Sequence, residues 1–144
     1  MAKRDLHNNV DIIASLPPVA VGTTGTGKTG SAVDTRGFDA VELEFSYGAI
    51  TATAATFTVT VLEGDTTGGS FTSVADDDLI GTEANTGLAA ATRTDGSTEN
   101  VTKRIGYIGG SRYVKGKVVS TATAGTPVGI NVILHRAHVA PVAT

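Results

Sequence analysis

From Val41 to Tyr47 the chain alternates apolar and polar residues, Val41-Glu42-Leu43-Glu44-Phe45-Ser46-Tyr47. Successive side chains of a strand point to opposite faces, so the alternation predicts a strand with one buried side. Phe57–Val61 and Val128–Leu134 repeat the pattern. Further strands are expected over 31–35, 70–74, 88–94, 100–107 and 112–121, which are rich in Thr and Val and bounded by turn-forming residues. Turn chemistry falls between them at Glu63–Gly69, Asp95-Gly96-Ser97, Gly109-Gly110-Ser111 and Ala124–Pro127. Helix has room only for a turn or two in Leu6–Ala14, stopped by Pro17-Pro18, and around Ala75–Ile80. About eight short strands without amphipathic helices between them predict an all-β fold, an antiparallel β-sandwich or jelly roll with very little helix. The expected organisation is an extended N-terminal arm over residues 1–18, closed by Pro17-Pro18, followed by a single β-sandwich domain over 19–144.

Composition changes this picture in one respect. Of 144 residues 40% are apolar, but these are mostly Ala and Val, with four Phe, three Tyr, one Met and no Trp. Aromatic side chains each bury about 150 to 250 Å² and dominate cores and interfaces. A core this light is expected to draw part of its stability from other subunits, so a homo-oligomer, dimer or trimer, is anticipated. The absence of Cys excludes disulfides, thiolate metal sites and cysteine nucleophiles. No apolar run approaches a membrane span and no apolar segment follows the charged start, so a soluble chain without a secretory signal is expected.

The net charge of −3 is unevenly spread. Met1–Leu62 carries four bases and six acids, Glu63–Glu99 one base and eight acids, and Asn100–Thr144 six bases and no acid. This predicts a molecule with an acidic and a basic region, unless folding interleaves the two.

Gly22-Thr23-Thr24-Gly25-Thr26-Gly27-Lys28-Thr29 satisfies the phosphate-binding pattern G-x-x-x-x-G-K-[ST]. That chemistry needs a helix immediately after the loop, whose N-terminus and backbone N–H groups converge on the phosphates. Residues 30–38 carry no helical apolar stripe, and an alternating strand follows directly. The overlapping Gly25-x-Gly27-x-x-Gly30 dinucleotide pattern fails in the same way. A Gly/Thr loop is the expected reading. His135 and His138 lack further ligands, and Asp76-Asp77-Asp78 lacks the alternate spacing of a calcium loop, so no metal site and no cofactor are expected. No nucleophile elbow or acid–base constellation appears, and an enzyme is not expected. Lys103, Arg104, Arg112, Lys115 and Lys117 have Tyr107 and Tyr113 interleaved, a pattern that suits single-stranded nucleic acid or an acidic protein surface. The acidic total disfavours nucleic acid.

Three ordered motifs carry a resemblance: Asp34–Val41; Phe71–Val74 with Asp76–Gly81; and Gly106–Val114. Together they resemble the capsid decoration, or cement, proteins of tailed bacteriophages over roughly Asp34 to Ala137. The resemblance implies a jelly-roll or sandwich fold, a structural role as an oligomer on the outer surface of the phage head, and the major capsid protein as partner, in a virion protein made in the host cytoplasm. The anticipated interface with the capsid or a sister subunit comprises Leu6, Val10, Ile12 and Ile13 of the arm, with Lys103, Arg104, Arg112, Tyr113, Lys115 and Lys117. The alternatives are a nucleic-acid- or carbohydrate-binding β-domain and, last, a nucleotide-binding protein.

Overall fold

The structure, a computed structural model, describes residues 6–22, 27–122, 125–139 and 142. Residues 1–5 of the expected arm and 23–26 of the Gly/Thr loop lie outside the described residues. Ten strands occur among those described: β1 (Val10–Val21), β2 (Lys28–Thr29), β3 (Val33–Asp34), β4 (Phe38–Tyr47), β5 (Phe57–Gly64), β6 (Thr72–Ser73), β7 (Leu79–Ile80), β8 (Val101–Tyr107), β9 (Tyr113–Ser120) and β10 (Thr126–Ala137). Among the described residues helix is confined to a 3₁₀ turn at Asp76–Asp78 and α1 (Glu83–Thr86).

The strands form two antiparallel sheets in a sandwich-like arrangement. Sheet A runs β1-β10-β4-β8-β7; sheet B runs β2-β9-β5-β6, with β3 also on β9. The three strongest alternating segments become β4, β5 and β10. Their apolar rows, Leu43, Phe45 and Tyr47, Phe57, Val59 and Val61, and Val128, Ile130, Val132 and Leu134, fill the space between the sheets. At Gly116 the sheets approach so closely that a Cβ would stand 2.8 Å from Cζ of Phe45. The missing side chain of β9 is the space that the Phe45 ring occupies.

The expected arm is corrected. Val10–Val21 is an edge strand, paired antiparallel with β10 from Val10↔His135 to Val21↔Thr126. Instead of a helical turn over 6–14 there is one turn, Asn9 N–H donating to Leu6 O at 3.0 Å, before the strand begins. Pro17-Pro18 does not end the structure, because an edge strand has a free side on which a missing N–H costs nothing. The pairing register shifts between Ala14 and Leu16 and again between Leu16 and Val19, accommodating the prolines. Ser15 is buried and locks β1 to the neighbouring sheet: its Oγ donates to Ser31 O, and Ser31 N–H donates to Ser15 O, both at 2.7 Å.

Residues 88–94 also depart from expectation. Only Leu88 bridges Phe57 in sheet fashion. In the remainder a local bond competes with a ladder, Thr94 N–H donating to Thr98 Oγ1 at 2.6 Å, while the Arg93 guanidinium donates to Thr98 O at 3.0 Å and, far away in sequence, to Ala55 O.

Candidate functional site

Folding sorts the anticipated interface residues onto two outer faces and removes two of them from either. Ile13 lies on the inward row of β1 and packs against the core. Lys103 shares the inward row of β8 with Ile105 and Tyr107, opposite Phe45, and is half-buried. Neither belongs to an exposed interface.

The outer face of sheet A carries an apolar groove of about 640 Å³. Ile12 of β1 and Ile80 of β7 stand at its two sides, 62% and 63% exposed, with Leu6 beside Val10 at the first. Between them the lining includes Ala40 of β4 and Ile133 and His135 of β10, and the Ile80 side chain itself lies over Gly106 of β8. Outward positions on β4, β8 and β10 supply the rest of this face, and the cross-strand pair Ile12↔Ile133 continues the apolar surface from β1 to β10. Arg104 Nε lies 3.4 Å from Glu42 Oε1 across the groove wall. Towards the other end of the same face the surface turns polar: Glu44 accepts from Asn131 Nδ2 at 3.0 Å and from Ser46 Oγ at 3.2 Å.

The outer face of sheet B is built differently. Tyr113, Lys115, Lys117 and Val119 occupy the outward row of β9, alternating with buried Val114 and Val118. Lys117 is flanked in the same row by Thr60 of β5 and Thr29 of β2. Lys115 Nζ sits 3.7 Å from the centroid of the Phe71 ring, a cation–π contact. Among the described residues no carboxylate pairs with either lysine.

Arg112 is committed elsewhere. Its Nε and Nη2 bind the Asp34 carboxylate at 3.1 Å and 2.7 Å, and its guanidinium covers the Tyr113 ring at 4.9 Å. The hydrogen bond from Arg112 holds the Asp34 carboxyl below the usual carboxylate range, reinforced by the Arg36 backbone N–H at 3.0 Å. Because the folded-state pKa of Asp34 lies below its unfolded value, the pair stabilises fully above the ordinary carboxylate range, and this contribution disappears as pH falls through the depressed folded value. Thermal melts from neutral to acid pH are therefore expected to show Asp34→Asn less stable than wild type at neutral pH, with the difference closing as the medium is acidified. A gap that stays constant down to low pH would refute it.

Nearby, the Tyr107 hydroxyl donates to Glu63 Oε2 at 2.6 Å and accepts from Ser111 N–H at 3.0 Å. Burial, helped by the Glu63 bond, pushes the Tyr107 pKa up. This buried phenol fastens the Gly109-Gly110 turn to sheet B.

Three motifs distant in sequence thus meet at one end of the sandwich. Asp34 pairs with Arg112, Asp78 O accepts from Ile108 N–H at 2.9 Å, and Val41 and Leu79 flank Tyr107 on either side of β8. The charge segregation read along the chain is partly undone, since Arg104 and Arg112 of the basic segment meet Glu42 and Asp34 of the first. Among the described residues, Lys115 and Lys117 keep no carboxylate partner, and neither do Lys28, Arg93, Lys103 and Arg136. Phe71, Asp34 and Ile80 escaped the sequence reading as contributors to these surfaces. Asp34 and Phe71 already lay in the motifs, but which cation each would meet depends on the pairing of β3 and β6 with distant strands.

After the Gly/Thr loop, Lys28 and Thr29 are strand residues paired with Val118 and Lys117, where a phosphate site would require the first turn of a helix. His138 Nε2 lies 2.6 Å from Asp39 Oδ1 at the exposed end of β10, and His135 borders the groove. Among the described residues no cluster of three or more His, Cys, Asp or Glu side chains is placed to hold a metal ion, and no helix is long and apolar enough to cross a membrane. Comparison with protein-family models, curated proteins and solved structures finds no match to the chain.

Proposed function

We propose that this chain is a structural virion protein, a cement protein that binds the outer surface of a phage head and stabilises the lattice of the major capsid protein. The observation that carries the reading is the outer face of sheet B, a strand surface whose two central lysines have no carboxylate partner among the described residues. Such a face complements an acidic protein surface, and modest contacts made by many copies on one shell add through multivalency. The ordered motifs resembling capsid decoration proteins support the same reading.

A nucleic-acid surface would need free aromatic faces for base stacking. Tyr113 is only 9% exposed beneath Arg112, and Lys115 covers Phe71. The lysines themselves remain available to an acidic surface.

Charge reversal tests this. The double variant Lys115→Glu/Lys117→Glu is expected to fold as wild type, since both positions face outward, and to bind purified heads at least about tenfold more weakly. Wild-type binding is expected to fall as added salt shortens the Debye length below about 8 Å. Head binding that ignores both salt and charge reversal would reject the basic face as the contact, and selective co-sedimentation with single-stranded DNA would favour the nucleic-acid alternative.

A further inference from the structure

We propose that Asp95 is a site of covalent self-modification, isomerising to isoaspartate through a cyclic imide formed with Gly96, and that the Asn100 side chain is the guard that restrains the reaction. Asp95 is the one aspartate of the chain followed by glycine, and no asparagine precedes a glycine. Both residues are exposed on the turn between α1 and β8. Gly96 has φ +79, and nothing stands within 4 Å of where a Cβ would be. Without a side chain its amide nitrogen is unshielded, and its backbone rotates freely towards the geometry that ring closure needs. Every other aspartate is followed by Leu, Ile, Thr, Ala or Asp, whose side chains crowd that approach.

The chemistry needs only solvent water. The Gly96 nitrogen attacks Cγ of the Asp95 carboxyl in its protonated form; the N–Cγ bond forms, the nitrogen gives up its proton, and one carboxyl oxygen leaves as water. Water then opens the imide at either carbonyl. Breaking the N–Cγ bond restores aspartate, whereas breaking the bond from nitrogen to the main-chain carbonyl carbon of Asp95 leaves Gly96 attached through Cγ. Reactant and product are isomers, and the main chain has gained one atom.

The fold holds both reacting groups away from this path. Gly96 N–H donates to Glu99 O at 3.1 Å, and Asp95 Oδ1 accepts from Asn100 Nδ2. Asn100 has φ 45, a left-handed conformation that asparagine tolerates better than most residues, and from it the side chain turns back to Asp95. The turn is anchored beyond the clasp, since Thr98 N–H donates to Thr94 O at 3.1 Å and Glu99 Oε2 accepts from Ile50 N–H at 2.8 Å. Ring closure therefore waits for a local opening that breaks the clasp, and the rate follows the population of that open form.

Peptide mapping of the aged full-length protein tests both parts. Wild type, Asn100→Gly and Asn100→Asp are held for weeks in warm, mildly acidic buffer, with and without concentrated urea, then cut with trypsin so that residues 94–103 form one peptide. Asn100→Gly keeps the left-handed backbone and removes the amide; Asn100→Asp sets a like charge beside the carboxylate. In urea, isoaspartate is expected at residue 95 ahead of every other aspartate, at the same rate in all three proteins. Without urea, wild type is expected to form it at least about threefold more slowly than in urea, and both variants at least about threefold faster than wild type, with unchanged circular dichroism spectra. Residue 95 failing to lead in urea would overturn the site. Folded variants that age no faster than wild type, or a difference between the proteins that persists in urea, would overturn the guard. No readout involves phage heads, so this proposal and the lysine contact fail separately.

Discussion

Removal of residues 1–16 is expected to abolish the folded state. A free arm could be cut away without loss, but Val10–Leu16 is the first half of an edge strand whose backbone pairs with β10. The truncation takes away Ile13 and Leu16, which pack against the core, and Ser15, whose two bonds with Ser31 tie sheet A to the chain leading into β3. It also strips the partner from β10, leaving the apolar centre of sheet A with an unpaired ladder of N–H and C=O groups. Domains of this size have total stabilities of about 5 to 15 kcal/mol. Loss of several buried contacts and a strand pairing uses most of that margin, and the exposed edge favours aggregation. Circular dichroism and size-exclusion chromatography of the truncated chain should show an unfolded or aggregated product. A soluble truncation with wild-type melting would restore the arm.

Phe45→Ala is expected to cost about 3 to 5 kcal/mol, the range for deleting a fully buried aromatic ring. Phe45 has no exposed surface and lies at the junction of the sheets, its Cζ pointing at Gly116. With so few aromatics in the chain, no neighbouring ring can swing in to fill the void. The converse change, Gly116→Val, forces a side chain against Phe45 and Ile130 and is expected to cost about 1 to 3 kcal/mol by overpacking. In the double variant the valine enters the space left by the ring, so the two losses should fall short of their sum, with a coupling of about 0.5 to 3 kcal/mol. Urea denaturation of the four proteins measures this cycle. Strict additivity would show that the two residues do not share one space.

Val41–Tyr47, Phe57–Val61 and Val128–Leu134 were legible as strands because burial on one side and solvent on the other writes a period of two into the sequence. The same rule failed at β1, where the Pro17-Pro18 pair read as a stop. Proline forbids a central ladder and permits an edge, and whether a segment is central or at an edge is not a local property. Residues 88–94 have strand-like composition, but the Thr98 hydroxyl binds the backbone of Thr92 and Thr94, so propensity there was overridden.

The candidate surfaces divide along the same line. Alternation and turn chemistry in the sequence alone determined that the chain is all-β and antiparallel, because a strand's two faces must differ whenever one of them is buried. The sequence also made plain that its bases gather after Asn100. Only the tertiary structure decided which of those bases are neutralised, since Arg112 meets Asp34 and Arg104 meets Glu42 through strand pairings between segments far apart in the chain, leaving Lys115 and Lys117 half-buried without a carboxylate partner on one sheet while Ile12 and Ile80 border the apolar groove on the other. Periodicity is set by each residue's own strand and survives in one dimension. Charge pairing and surface continuity are set by neighbours across strands, and the register that creates those neighbours exists only once the sheets have formed.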